Sequence, residues 1–303
     1  MRRQPLPSSL PSRRFLVSRA LVSGAGRKRL RARDLRSPHH GVRAVGGEGP
    51  ALIDRCRDYA PLLADGHLFS HLTAAELWRL PLPLAPRGQI HALHVTATAA
   101  VREPRRPGVV GHTGSGIRSV RHLGVNVVGP VRAWIQCAEL LEVDDLVIMG
   151  DALLSKWSPF AAARFHRVED LRRLLDRCSG RRGIRRLREA IELMRPKSWS
   201  PKESELRLLI VRSGLREPDA LNEKVYAADG SAIGRPDMQY KDARVYIEYE
   251  GDHHRTNKET FRLDIVKRER LADEGWRGIR VTELDLSEPA SLLHRLSRYI
   301  PRA

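Results

Sequence analysis

Apolar and polar positions alternate at more than one period along the chain, and the changes of period mark its parts. In residues 15–66 the blocks are short. Phe15 to Leu21 reads as an apolar helix, Ser23-Gly24-Ala25-Gly26 as a turn, and Arg27 to Leu35 as a second helix. Its Leu30 and Leu35 face inward, and Arg27, Lys28, Arg29, Arg31 and Arg33 face outward. His40-Gly41-Val42-Arg43 then turns into a strand. Helix, glycine turn, basic helix and strand is the order of a winged helix, whose second helix enters the major groove. Thr73-Ala74-Ala75-Glu76 has capping-box spacing and opens a helix that Pro81 stops. Strands follow over Gln89–Thr98 and Val125–Val128, with the loop Arg102–Gly108 after the first. A helix runs from Gly129-Pro130 to Leu141, and another covers Val143–Leu154. Arg167 to Arg195 is helical and basic, with Leu187, Ile191, Leu193 and Met194 on its apolar side; Pro196 and Trp199-Ser200-Pro201 mark a boundary.

Beyond that boundary the pattern sharpens. Ser200-Pro201-Lys202-Glu203 is a strong helix start, and the helix ends at Gly214. Strands over Glu223–Ala227 and Ala232–Met238 flank an Asp229-Gly230 turn. Arg244–Glu250 alternates at period two, Asn257–Glu274 is a long helix stopped by Gly275, and Gly278–Thr282 is a strand before a last helix from Ser287. The order is α-β-β-β-α-β, then α. The expectation is an α/β protein of the α+β kind: a basic arm at 1–14, a winged-helix-like DNA-binding region at 15–66, a mixed α/β region at 67–197 and a separate domain at 198–303.

Composition narrows the class. Of 303 residues 41% are hydrophobic and 30% charged, enough apolar mass for real cores. No apolar run approaches the roughly 18–20 residues of a membrane span, so no membrane partner is expected. Cys56, Cys137 and Cys178 are odd in number and widely spaced, which fits neither a disulfide framework nor a CxxC zinc site and points to the reducing cytoplasm. Charge is the more telling quantity. Residues 198–303 hold 19 basic and 19 acidic side chains, so the net +18 of the chain resides entirely in residues 1–197. Codon bias explains why Arg outnumbers Lys, but it does not explain the missing acids. A basic excess of this kind marks a surface that meets a polyanion, nucleic acid first among them. Arg43 on the strand and Arg185 and Arg186 on the basic helix join Arg27, Lys28, Arg29, Arg31 and Arg33 as phosphate-binding candidates.

Residues 15–154 resemble the AbiEi-type antitoxins. The likeness rests on the helical start, on Ser70-His71-Leu72-Thr73-Ala74-Ala75-Glu76-Leu77-Trp78, on the Ile90-His91 strand and on Gly129-Pro130-Val131-Arg132-Ala133-Trp134. That family places Thr and Asp where this chain has Ala133 and Gln136. The resemblance implies DNA binding and, as a protein partner, a toxin.

The acids of the last domain carry the chemistry. Residues two apart on a strand share a face, so Glu248 and Glu250 point one way and Val245, Ile247 and Tyr249 the other. Pro236-Asp237 ends the preceding strand and can sit beside them, and Glu205, one turn into the first helix, can lean over the same edge. Carboxylates crowded at one edge repel one another, and a hard divalent ion with oxygen ligands removes the conflict. Residues 198–290 resemble the PD-(D/E)XK nucleases, in particular the restriction-endonuclease-like branch related to very-short-patch-repair enzymes. The residues concerned are Ser204-Glu205-Leu206, Pro236-Asp237, Glu248 to His254, Asp264 with Arg268, and Gly275-Trp276 leading to Arg280-Val281. The resemblance implies that Asp237 and Glu248 ligate Mg²⁺ or Mn²⁺ and that Glu205 completes the pocket. Glu250 stands where the general motif has Lys, so another base must act, and His254 and Lys267 are the candidates. Asp264 and Arg268, spaced i,i+4, read as an ion pair that orients their helix. His253-His254 lacks partners for a zinc site, and His91 and His94 read as structural.

The expected function is a divalent-metal-dependent DNA endonuclease with a basic DNA-binding front half. The alternative is an AbiEi-type antitoxin or DNA-binding regulator with an inactive nuclease-like domain. RNA as the substrate is a third, weaker expectation.

Overall fold

The computed structural model describes residues 4–10, 13–47, 49, 51–83, 92–98, 101–251 and 258–303, with the side chains of 258–261 outside the description. It is a mixed α/β protein in two compact units, Met1–Cys137 and Ala138–Ala303. No helix among the described residues is long and apolar enough to cross a membrane.

The first unit opens with β1 (Arg14–Leu16), α1 (Val17–Val22), α2 (Arg27–Leu30), β2 (Leu35–Arg36) and β3 (Val42–Val45). The three strands form an antiparallel sheet in the order β1-β3-β2. Two expectations are corrected here. Phe15 does not begin a helix: it lies in β1, pairs with Arg43 and is buried with Ala20, Ala25 and Leu30 in a small core. The basic helix expected over 27–35 ends at Leu30, because Arg29 turns back to make a two-pronged ion pair with Asp34 at 3.0 and 2.8 Å and the chain re-enters the sheet at Leu35. A buried carboxylate ties the sheet to α3 (Leu52–Tyr59): Asp58 accepts hydrogen bonds from Arg14 and Arg36, and these two guanidiniums hold its carboxyl below the usual range against the opposing effect of burial.

A second sheet follows, built from β4 (His67–Phe69), β5 (Leu93–Thr98), β6 (Val109–Gly114), β7 (Ser119–His122) and β8 (Val125–Val128), with α4 (His71–Leu77) and α5 (Pro130–Cys137). Its order is β6-β5-β4-β8-β7, parallel for β5/β6 and β4/β8 and antiparallel elsewhere. Leu68, Phe69, Val95, Val127 and Trp134 are buried in this unit, and the Trp78 indole donates to the Val128 carbonyl at 2.8 Å. Neither β6 nor β7 is expected from the sequence pattern.

The second unit begins with α6 (Val143–Leu154), α7 (Val168–Asp176) and α8 (Ile184–Leu193). The single basic helix expected over 167–195 is two helices. Gly180 and Gly183 both adopt positive φ, and a Cβ on Gly183 would meet the Ala138 carbonyl at 2.3 Å, so the chain must break there. The two compact units divide at 137/138, and residues 138–197 belong to the second of them. Asp151 of α6 is buried and accepts from Arg207 (2.9 Å) and Ser204 (2.7 Å) of α9 (Pro201–Arg212), and from the Arg195 amide (2.6 Å). This buried ion pair, in which Arg207 Nε has no partner among the described residues, ties α6 to α9.

That sheet has the order β14-β13-β12-β9, from β9 (Ala220–Leu221), β12 (Met238–Tyr240), β13 (Val245–Tyr249) and β14 (Arg277–Val281). β10 (Val225–Tyr226) and β11 (Ala232–Gly234) form a separate hairpin, so the strand expected over 232–238 divides at Arg235-Pro236-Asp237. β12 pairs antiparallel with β9 and β13; β13 and β14 are parallel, with α10 (Lys258–Asp273) as the crossover. Alternation along β13 sorts the two faces. Val245 and Ile247 join Leu206 and Ile210 of α9, together with Leu292 and Leu296 of the last long helix, Pro289–Ser297; Tyr246 packs with Leu271 of α10 and Val225. Helices thus cover both faces of a short mixed sheet.

Candidate active site

Strand alternation puts Glu248 on the same face as Tyr246, toward α10, and there the Lys267 ammonium forms a close ion pair with its carboxylate. Gly234 in β11 makes room for this lysine: a Cβ at that position would come within 2.8 Å of the Lys267 stem. Asp237, in the turn just before β12, aims its Oδ2 at the Tyr249 amide, which donates to it at 2.7 Å. The backbone of β13 therefore holds Asp237 beside the strand that carries Glu248.

Asp237 is only partly exposed, and its carboxyl is pushed up to about 8. Burial is the first cause; the carboxylates of Glu203 and Glu248 add to it, while the Tyr249 amide and Lys267 oppose it. Negative charge is thus crowded around Asp237 beyond what one lysine offsets.

The helix acid whose charge raises the Asp237 carboxyl is Glu203, where the sequence pattern points to Glu205. Glu203 is buried at the start of α9, where its Oε2 accepts from the Trp199 amide (2.9 Å) and Asn222 Nδ2 (2.6 Å). Burial raises its carboxyl despite those donors. Glu205 lies two residues on, across the helix from Glu203, and takes Lys202 at 2.8 Å; Lys202 also reaches Glu283, which accepts from the Tyr249 hydroxyl at 2.7 Å. That is the Tyr249 face of β13, the side opposite Glu248. Local sequence marks Glu203 only as part of a helix start. The informative signal is the phase of the helix: Glu203, Leu206, Arg207 and Ile210 share its buried stripe, and Glu205 does not.

Glu250 shares the face of Glu248 but is taken up by bases, forming a close ion pair with Arg280 and lying 3.6 Å from Arg268. Arg268 is also 3.5 Å from Asp264, the i,i+4 pair expected on α10. Of the two candidates for the missing strand lysine, Lys267 is in place at Glu248; His254 lies outside the described residues, as do His253 and His91.

The phosphate-binding candidates divide. Arg27, Lys28, Arg31, Arg33 and Arg185 are exposed. Three others have structural partners. Arg29 is bound to Asp34, and Arg43 donates to the Leu30 carbonyl (2.7 Å) and Ser37 (2.8 Å). Arg186 donates to the carbonyls of Ala138 (3.4 Å) and Leu141 (3.3 Å) and lies 3.4 Å from Glu142.

Comparison with known proteins adds a relationship without a function. No family model matches the chain. Two uncharacterized proteins, from two strains of Mycobacterium tuberculosis, are each 30% identical to it over 125 residues, 41% of this chain and 45% of theirs. The chain thus spans under half the length of the curated relatives it matches.

The donor set at Asp237 is one of hard oxygens around a surplus of negative charge. It fits a hard divalent cation, with Asp237 and Glu248 as the two carboxylates that would hold it.

Proposed function

We propose that this protein is a divalent-metal-dependent DNA endonuclease whose chemistry resides at Asp237, Glu248 and Lys267, with the basic first unit supplying DNA affinity. One observation carries the reading: Asp237 is held beside the strand that carries Glu248, within its electrostatic reach, and a lysine delivered from α10 pairs with Glu248. A strand acid pair that lacked a basic partner would only be a charged edge. With Lys267 beside it, the set has the three parts phosphodiester hydrolysis uses.

A bound divalent ion supplies Lewis-acid polarisation of the phosphate and a water of lowered pKa. The chain's own residues do the rest. The Tyr249 amide fixes the orientation of the Asp237 carboxyl, and Glu203, itself anchored by Asn222 and the Trp199 amide, keeps that carboxyl in a field that favours cation binding. The Lys267 ammonium, paired with Glu248 in the absence of DNA, is positioned to orient the attacking water and to offset charge on the phosphate. Arg27, Lys28, Arg31 and Arg33 are exposed and available to backbone phosphates without reading sequence.

The test is cleavage of supercoiled plasmid at about 5–10 mM Mg²⁺ or Mn²⁺, comparing wild type with Asp237→Ala and Glu248→Ala. Nicking by wild type alone supports the reading. If wild type retards DNA on a gel but leaves it intact, the protein is a DNA-binding regulator or antitoxin with an inactive nuclease-like domain. If RNA is cut and DNA is not, the substrate class changes and the site stands.

A further inference from the structure

A second cluster of ligating side chains lies in the first unit and plays no part in the chemistry above. His71 is the first residue of α4, His94 lies on β5 and His112 on β6. The parallel β5/β6 register sets His112 opposite Thr96, two residues from His94 and on the same face. One candidate ligand atom from each imidazole lies within 4.8 Å of the others. His94 Nδ1 and His112 Nε2 are 3.0 Å apart.

The local structure is arranged around these rings. Ser70 occupies the N-cap of α4, yet its hydroxyl meets His71 Nδ1 at 2.9 Å and caps no helix amide. This contact occupies Nδ1 and leaves Nε2 as the ligating atom, the outer-shell arrangement by which metal-binding histidines are oriented. His71 adopts φ +49°, in the left-handed region that a residue with a Cβ rarely enters, and its amide donates to Gln136 Oε1 at 3.4 Å. The His94 amide donates to Thr73 Oγ1 at 2.8 Å, which fixes α4 on β5. His71 and His94 are 3% and 8% exposed, and burial disfavours the charged form of both rings.

We propose that His71, His94 and His112 bind a transition-metal dication of the zinc class through three imidazole nitrogens, with the fourth position left to water or an exogenous ligand. Neutral imidazole suits borderline ions such as Zn²⁺ and Co²⁺ rather than Mg²⁺. Two imidazoles on one tetrahedral ion, each bound at about 2.0–2.1 Å, set their ring centroids about 5 Å apart. The His94–His112 and His71–His94 pairs, at 5.2 and 5.8 Å, are near that spacing. His71 and His112 are stacked more tightly at 3.6 Å, so ion entry parts this pair. The ion would join α4, β5 and β6 at one point.

The experiment uses the full chain in an Asp237→Ala background, so that the carboxylate site does not compete, stripped with EDTA and titrated with Co²⁺ and Zn²⁺. The expected result is one equivalent of Co²⁺ with a tetrahedral visible spectrum, displaced by Zn²⁺, and affinity lowered more than about 100-fold by His112→Ala, since a ligand matters more than its outer-shell partner. His112→Cys, in protein shown to be folded by circular dichroism, should keep Co²⁺ and add a thiolate-to-cobalt charge-transfer band. No stoichiometric Co²⁺ or Zn²⁺ uptake by the parent overturns the proposal. So does binding that is unchanged in His112→Ala, or the absence of the thiolate band in folded His112→Cys.

Discussion

Replacing Asp237 by Asn should make the metal-free protein more stable at neutral pH while abolishing cleavage. The ordinary Asp value is 3.8, and at this site the group is pushed up to about 8. The folded state therefore holds a proton that the unfolded chain releases, so this group lowers stability progressively as pH rises from about 4 to about 8, with no further change above. At 1.36 kcal/mol per pH unit the cost reaches about 4 kcal/mol at pH 7. Partial exposure of the residue and the relaxation of its neighbours reduce this, and we expect Asp237→Asn to gain about 1–3 kcal/mol. Asn loses little in return, because its Oδ1 can still accept from the Tyr249 amide and its NH₂ can donate toward the neighbouring acids. The assay is urea unfolding of both proteins at pH 4, 5.5, 7 and 8.5 in EDTA. The difference should be small at pH 4 and grow toward pH 8, and added Mg²⁺ should stabilise wild type alone. A pH-independent difference, or a variant less stable than wild type at pH 8, would refute the reasoning.

Three further outcomes follow from the same geometry. Arg207→Ala leaves Asp151 buried without its cation and should cost about 3–5 kcal/mol in urea unfolding, whereas a loss under about 1 kcal/mol would show the pair to be dispensable. Glu203→Gln should slow plasmid nicking at least about tenfold, through a site less favourable to the cation, while Glu205→Gln should leave it near wild type; equal effects would restore Glu205 to the site. Neutralising Arg27, Lys28, Arg31 and Arg33 together should lower the salt dependence of DNA binding by about 0.9 in log–log slope for each phosphate no longer neutralised. An unchanged slope would move the DNA surface elsewhere.

Legibility differs between the parts of the chain for physical reasons. β13 and α9 can be read directly, because a period of two and a Ser-Pro-Lys-Glu start are local signals, and both elements lie where expected. Lys267 can be named from sequence as a stand-in for the strand lysine, but its pairing with Glu248 depends on the room left at Gly234, which only tertiary packing reveals. Glu203 and Glu205 are two residues apart on one helix, and choosing between them requires the buried stripe that Leu206, Arg207 and Ile210 define. The first unit is harder. α2 is one turn long because the Arg29–Asp34 ion pair overrides a sequence with good helix formers. β6, Val-Val-Gly-His-Thr-Gly, has no clean alternation, so the strand that brings His112 to His94 carries no local signature. The buried Asp151–Arg207 pair joins residues 56 apart in sequence, which no local pattern connects.

Whether Asp237, Glu248 and Lys267 form one hydrolytic site is decided by the nicking rate of Lys267→Met beside wild type, at protein concentrations where both bind DNA equally. We expect a fall of about 10²–10³-fold in the single-turnover rate with DNA affinity unchanged, the loss typical of removing one preorganised electrostatic group from a transition state. A Lys267→Met protein that nicks plasmid at the wild-type rate would contradict it.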